Sequence, residues 1–380
     1  MSTFLITGAR APVAVHLARL FHTAGHRVIL ADTHRFPLSR GTRLAPYVRL
    51  PAPRGNVVAY AAAVESAVAD HAVDLVIPTC EEVFFLAAAR DLHGRNIPLF
   101  APPLEVLARA HNKASFAQSA VGLGADPPRT EHVMSGAELT GIGAVGERVL
   151  KPAWSRFASR VLVKPDAAHL ATVAPTAADP WVVQDFLPGE EICSYGAAMD
   201  GRLVAFAAYR PLYRAGLGAS IAFEPVRDDD ARLFAAGFAA RTRWTGQLSF
   251  DFRRDAAGGL HAIECNPRAV SGLHLFTTAD GLPAALLGGD VSEPSGRRAM
   301  TVPLAMIVYG MPSALRRGRL SGWWRDYRSM GNILAFPGDR ALGAAQLLAL
   351  GEIALMALRT GKSLQEASTH DIEWNGEALA

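Results

Sequence analysis

Asp251, Glu264 and Asn266 fall within one short stretch, GQLSFDFRRDAAGGLHAIECNPR, Gly246 to Arg268. Residues 247–252 alternate toward one face, as a half-buried strand does, and Asp255 to Gly259 is turn chemistry. Leu260 to Cys265 then reads as the returning strand. In an antiparallel pair of this length, Asp251 lies near Glu264 and Asn266, so two carboxylates and an amide carbonyl converge. All three offer hard oxygens, and Mg²⁺ takes oxygens in octahedral geometry with one or two protein carboxylates when it sits against nucleotide phosphates. Arg268 follows two residues after Asn266 and would add a fixed positive fork beside such phosphates. The plain alternative is a hairpin whose acids are solvated. Cys265 is expected to point into the core from the opposite strand face.

The pattern Asp251…Glu264-x-Asn266-Pro-Arg268 resembles the metal-binding end of the ATP-grasp superfamily, which includes biotin carboxylase, carbamoyl-phosphate synthetase and amino-acid ligases. The resemblance implies an α/β (α+β) chain with a Rossmann-like N-terminal domain followed by the ATP-grasp fold. It implies ATP with Mg²⁺, or Mn²⁺ in its place, at Asp251, Glu264 and Asn266. It extends to other stretches in the family's order. Lys113 stands on a helix, and Lys151 ends the strand Val149-Leu-Lys-Pro152; both match phosphate-contacting lysines, with Lys164 a competing candidate. In the segment Trp181 to Glu191, Gln184 would approach the adenine amine, Asp185, Phe186 and Leu187 would supply backbone groups, and Glu191 would take the ribose. The loop Ala153 to Arg160 has no glycine, where most relatives use glycines to cradle phosphate. Ser155 and Ser159, with Arg156 or Arg160, are the side-chain donors that would replace them. Arg210 and Arg214 match a third basic contact, and which of the two serves is left open.

These residues need elements to hold them. TFLITG, a helix opened by Pro12 and a strand ending in Asp32 form the β-α-β start of a doubly wound domain. The loop TGARAP lacks the G-x-G-x-x-G fingerprint, so a nicotinamide site is disfavoured despite Asp32. A helix over 56–71 and a strand over 73–78 lead to Thr79-Cys-Glu-Glu82, where acids at a helix N-terminus serve either the helix dipole or a substrate. One continuous helix is expected over 104–121, a mobile central lid over about 125–185, and then a strand from Ile192, strands over 203–209 and 219–224 and a helix over 228–243 before the hairpin. The resulting division is 1–108, 109–185, 186–292, and a mostly helical C-terminal appendage over 293–380. Glu81, Glu82, Ser271, Gly272 and His274 are substrate candidates; the last three follow the hairpin, where the family places the reacting carboxyl group.

Composition bounds the rest. The chain of 380 residues exceeds one ordinary core. A net charge of +3 and the absence of a basic block argue against nucleic acid. Three scattered cysteines fit neither a disulfide framework nor a CxxC site and suit a reducing cytoplasm. The apolar run 341–358 carries Gln346 and Glu352 and is read as a buried helix rather than a membrane span. That helix also makes a homodimer plausible.

The reaction the resemblance implies joins a small-molecule carboxylate to an amine through an acyl phosphate, releasing ADP and phosphate. Three alternatives stay open: a bicarbonate-using carboxylase or carbamoyl-phosphate-type enzyme, a non-catalytic nucleotide-binding protein, and a dehydrogenase.

Overall fold

A computed structural model describes the chain except residues 143–144, 156–159, 217, 337–338, 340 and 380. Three sheets organise it. The first holds β1 (Thr3–Ile6), β2 (Arg27–Asp32), β3 (Tyr47–Arg49) and β4 (Leu75–Ile77), all parallel in the order β3-β2-β1-β4. The helices Pro12–Thr23, Val57–His71 and Glu82–Asp91 cover it. The parallel pairing is the doubly wound start expected from the alternation of apolar strands and helices.

The second sheet, in the stretch expected to form a lid, holds β5 (Thr130–Val133), β6 (Arg148–Pro152), β7 (Leu162–Val163) and β8 (Trp181–Asp185), antiparallel in the order β5-β8-β6-β7. It has a small core of its own, with Val133, Leu150, Trp181 and Val183 buried together. The third sheet carries β9 (Glu190–Met199), β10 (Arg202–Arg214), β11 (Ser220–Val226), β12 (Gly246–Arg254) and β13 (Leu260–Asn266) in the order β13-β12-β9-β10-β11. Alternate residues of β12, Leu248, Phe250 and Phe252, enter the core. There Phe250 meets Phe234 and Phe238 of the helix Asp229–Thr242, ring centroids 5.1 and 5.2 Å apart. Each buried aromatic contributes about 1.5–3 kcal/mol, so this face fixes the register, and Ser249, Asp251 and Arg253 are left on the other face.

Two expectations are corrected. Helix 104–121 is broken: Leu104–His111 ends at Asn112, whose extended ψ of 119° starts a second helix, Lys113–Ala120. Asn112 caps that helix by accepting from the amides of Ala114 and Ser115, a residue type that competes with the helix interior and favours its start. The apolar run 341–358 does form a helix, Leu342–Thr360, but only 11% of its apolar window is buried. Its Glu352 accepts from the amides of Arg35 and Phe36 at 2.8 and 2.7 Å, which accounts for an acid in so apolar a helix.

The appendage is mostly helical, but it also lends two short edge strands, β14 (Met300–Thr301) and β15 (Gly331–Asn332), to the third sheet. Its last residues return to the N-terminal domain. Arg10, in the β1-to-helix loop, is gripped by Asp32 at 2.8 Å and by Asp371 at 2.7 Å, and its Nη1 donates to the Ser368 carbonyl. Arg54 pairs with Glu373. Trp374 packs on Phe84 and Trp154, ring centroids 4.8 and 5.0 Å apart. The tail therefore lies along the carboxyl ends of the parallel strands, where Thr33, Leu50 and Asp371 still line a cavity of about 430 Å³, and Asp32 is taken up by Arg10.

Replacing Arg10 with Met should lower stability by about 3–5 kcal/mol, because Asp32 and Asp371 are then left as buried, facing acids. Chemical denaturation measures the loss, and an unchanged midpoint would show that the tail docks without this ion pair.

Candidate functional site

β12 and β13 pair with Asp251 directly opposite Glu264 and Ser249 opposite Asn266. The register then slips, so that Phe252 meets Ala262 and Ile263 is the extra residue. Such a bulge bends a strand and re-aims a side chain. Here it lets the sequence neighbours Ile263 and Glu264 both face one cleft of about 340 Å³, a volume in the range of small-molecule sites. Asn266 Nδ2 donates to Asp251 Oδ2 at 3.2 Å. Three of the residues singled out in the hairpin are thus together.

The lysines arrive from elsewhere. Lys151 on β6 lines the cleft although it is almost wholly buried. Lys113, at the start of its capped helix, does not line the cavity wall. Its Nζ sits behind Glu264, 3.5 Å from Oε2, and donates to the Ser155 carbonyl at 2.6 Å.

The electrostatics follow from burial. Asp251 is pushed up to about 7 by burial first and then by the facing Glu264 charge. Burial works against Glu264 too, but Lys113 and Lys151, with a hydrogen bond to Asp251, outweigh it and hold Glu264 below the usual carboxylate range. Lys151 is lowered to about 8 by burial, with Lys113 adding and Glu264 and Asp251 opposing. The site thus resists a second negative charge at Asp251 beside Glu264, and a bound dication would relieve that repulsion. Asp251 and Glu264 offer two carboxylates, which suits Mg²⁺, and Asn266, whose Nδ2 now faces Asp251, adds its Oδ1 once its amide turns over, so the three residues fit a divalent ion. A second grouping, Glu191, Cys193 and Asp251, also brings ligand atoms within 4.8 Å of one another. It fits less well, since burial and two nearby acids raise the Cys193 thiol far above its ordinary value, and a protonated thiol is no Mg²⁺ ligand.

The opposite wall is the strand end Gln184, Asp185, Phe186 and Leu187. The turn after it approaches β12 so closely that a Cβ on Gly189, at φ 148°, would lie 2.2 Å from the Arg254 carbonyl oxygen. Gln184 gives its amide N–H to Thr130 Oγ1 at 2.8 Å. Glu191 lines the cleft paired with Arg214, and Arg253 stands 3.5 Å away. Arg214 and Arg210 differ in position. Arg214 lines the cleft, whereas Arg210 is held outside it by Glu190 and Glu224. Arg268 lines the cleft with its Nε 3.9 Å from Glu81.

Ser155 and Ser271 line the cleft as well, and Gly272 packs its backbone against Tyr195 and Tyr209. Ser159 and Arg156 lie outside the described residues. Four further candidates stand elsewhere. Glu82 is buried and accepts from Thr7 Oγ1 at 2.7 Å and from the Thr79 amide at 3.1 Å, so it ties β1 to β4. A Cβ on Gly8, at φ 69°, would lie 2.8 Å from that carboxylate. His274 is buried between His16 and Phe223 in the layer beneath the third sheet. Lys164 is paired with Glu147 and stacks over Phe186 at 4.9 Å; Arg160 is paired with Asp179.

Sequence reasoning missed Cys193, Thr130 and Arg253. The first had a signal: Cys193 is two residues from Glu191 on a strand and so shares its face. The partner strand confirms it, since Cys193 lies opposite Asp251 and Glu191 opposite Arg253.

No protein-family model and no curated protein matches the chain. Solved structures do. An L-amino acid ligase from Bacillus licheniformis superposes with a TM-score of 0.59 at 16% identity, over 79% of this chain and 78% of that one. An N5-carboxyaminoimidazole synthetase from Staphylococcus aureus complexed with ADP gives 0.64 at 12% identity, over 83% and 86%. A phosphoribosylamine–glycine ligase from Thermotoga maritima gives 0.57 at 15%, over 78% of each chain. The chain shares their fold.

Because Asp251 has a folded value above its unfolded one, its contribution to stability is full below about pH 4 and is lost as pH rises through about 7. Without metal, Asp251→Asn should therefore raise the melting temperature at pH 8. Added Mg²⁺ should stabilise the wild type, more at pH 8 than at pH 6, and leave the variant unmoved. A thermal-shift series over pH and Mg²⁺ checks both signs.

Proposed function

On the ATP-grasp fold that this chain shares with those ligases, we propose an ATP-dependent carboxylate–amine ligase. The observation that carries the reading is one cleft in which Asp251, Glu264 and Asn266 face Lys151, with Arg214 and Arg268 beside them and the strand end Gln184–Leu187 across from them. Support also comes from the solved neighbours, which are named as ligases and synthetases and one of which was solved with ADP.

In this reading, backbone groups of Asp185 to Leu187 meet the adenine edge and Phe186 covers the ring. Glu191, held in place by Arg214 and Arg253, presents its carboxylate to the ribose hydroxyls. Lys151 contacts the phosphates, while Lys113 reaches the same charge system through Glu264. Ser155 and Ser271, whose hydroxyls donate to the Pro152 and Ser220 carbonyls in the free chain, would turn to phosphate and substrate carboxylate, and Arg268 adds a forked cation in the same cleft.

The chemistry answers a definite obstacle. A carboxylate resists attack because it has no leaving group. Its oxygen attacks the γ-phosphorus of ATP, an O–P bond forms, the bond to ADP breaks, and an acyl phosphate results. The amine nitrogen then attacks the acyl carbon, the C–O bond to phosphate breaks, and the nitrogen loses a proton. Both anionic partners must be brought together against their repulsion, which fixed cations in a water-poor cleft oppose strongly. Asp251, Glu264 and Asn266 would hold Mg²⁺, which as a Lewis acid supplies charge at the transferring phosphoryl group. The lid sheet 130–185 excludes water that would otherwise hydrolyse the acyl phosphate.

Glu264→Gln should lower ADP release by about two to three orders of magnitude, as removal of one charge-stabilising group does, and should leave the melting profile cooperative. The substrates are found by screening amino acids and small acids in pairs for ADP release. Turnover of the variant near the wild-type rate would refute the metal role of Glu264. ADP release that needs bicarbonate but no amine would move the assignment to the carboxylase reading.

A further inference from the structure

The helical segment 303–316 and the helix Leu320–Ser329 form a hairpin on the edge of the third sheet. Its inner side is already used. Met306, Ala314 and Trp323 pack against Ala215, Ile221 and Ala222, Trp323 Nε1 donates to the Met306 carbonyl, and Tyr213 donates to Asp326. A soluble hairpin with one face so buried would be polar on the other. This one exposes Ile307, Met311 and Leu315 a turn apart on its first arm, and Leu320 and Trp324 a turn apart on its second. Leu315 is 65% exposed and Trp324 52%.

Between the arms stands the tip Arg316-Arg317-Gly318-Arg319, turned by Gly318 at φ 66°, and Arg325 and Arg328 follow, with Arg328 5.9 Å over the Trp324 ring. Against these five arginines the segment has one acid, Asp326, which is taken by Tyr213.

We propose that this hairpin docks on an anionic lipid surface. Leu315, Leu320 and Trp324 would enter the interface, and Arg316, Arg317 and Arg319 would meet the lipid phosphates. Apolar side chains flanked by basic ones, with a tryptophan at the boundary, are what interfacial binding to anionic lipid uses. Other occupants fit less of the surface. A two-fold contact with a second copy brings the same three arginines against themselves. Nucleic acid would satisfy the arginines and leave four exposed aliphatic side chains without a partner. The next long helix in the chain, Leu342–Thr360, repeats the pairing: Leu347, Leu348, Leu355 and Leu358 are exposed and are followed by Arg359 and Lys362. The inference does not rest on the nucleotide site.

The full chain is sedimented with vesicles of phosphatidylcholine alone and with vesicles of phosphatidylcholine and phosphatidylglycerol in equal parts. Binding to the second but not the first, weakened by salt, is expected. The triple change Arg316→Gln, Arg317→Gln, Arg319→Gln should lower the partition coefficient about a hundredfold. Leu315→Ser with Leu320→Ser should abolish it at an unchanged melting temperature. Equal binding to both vesicles, binding to neither, or a dimer that the leucine changes dissolve would each overturn the proposal, as would retention on duplex DNA in place of vesicles.

Discussion

Two acids and two ammonium groups share a space from which most water has been removed, and much of the molecule exists to make that arrangement tolerable. Asp251 and Glu264 are directly opposed across one strand pair. Lys113 and Lys151 come from a helix start and a strand of the second sheet, far away in the chain. Buried charges are costly singly and bearable when paired. Glu264 has its compensation in the lysines, and Asp251 is left with too little, which is why its proton is retained near neutral pH. The unevenness marks the place where an incoming cation gains most, and it arises from the same geometry that places both carboxylates on one face.

Holding four such groups requires a rigid backing. Behind the acids lies the aromatic layer of Phe116, Phe234, Phe238 and Phe250. Behind the lysines lies another, in which His111 touches Phe84 and Trp154, and Trp374 closes the group. Trp154 immediately precedes Ser155, whose carbonyl holds Lys113. A loop without glycine has stiffer backbone choices, and here Trp154 at its start also packs against Trp374 near the end of the chain.

Much of this was legible in the sequence. The hairpin, its turn and the convergence of Asp251, Glu264 and Asn266 follow from strand alternation and spacing alone. The parallel start of the chain follows from the order of its apolar runs. What stayed hidden was of three kinds. The bulge at Ile263 leaves no mark in a two-residue period, so the placement of Ile263 and Glu264 on one wall could not be foreseen. Acids such as Glu82 look alike on paper whether they face a ligand or, as here, bind Thr7 and Thr79. The helix Leu342–Thr360 reads as core by hydropathy, but burial depends on what the rest of the chain brings to it, and little is brought.

Arg10 and Asp371 stand 361 residues apart in the chain and 2.7 Å apart in space. A ribosome delivers the first sheet long before it delivers the partner of that guanidinium. While the remainder is being made, Arg10 has only Asp32 and Thr33 to satisfy it, and the crevice above the parallel strands stays open to water. The opening unit therefore emerges without its closing piece, and it reaches its final packing only after the last segment has threaded back across it.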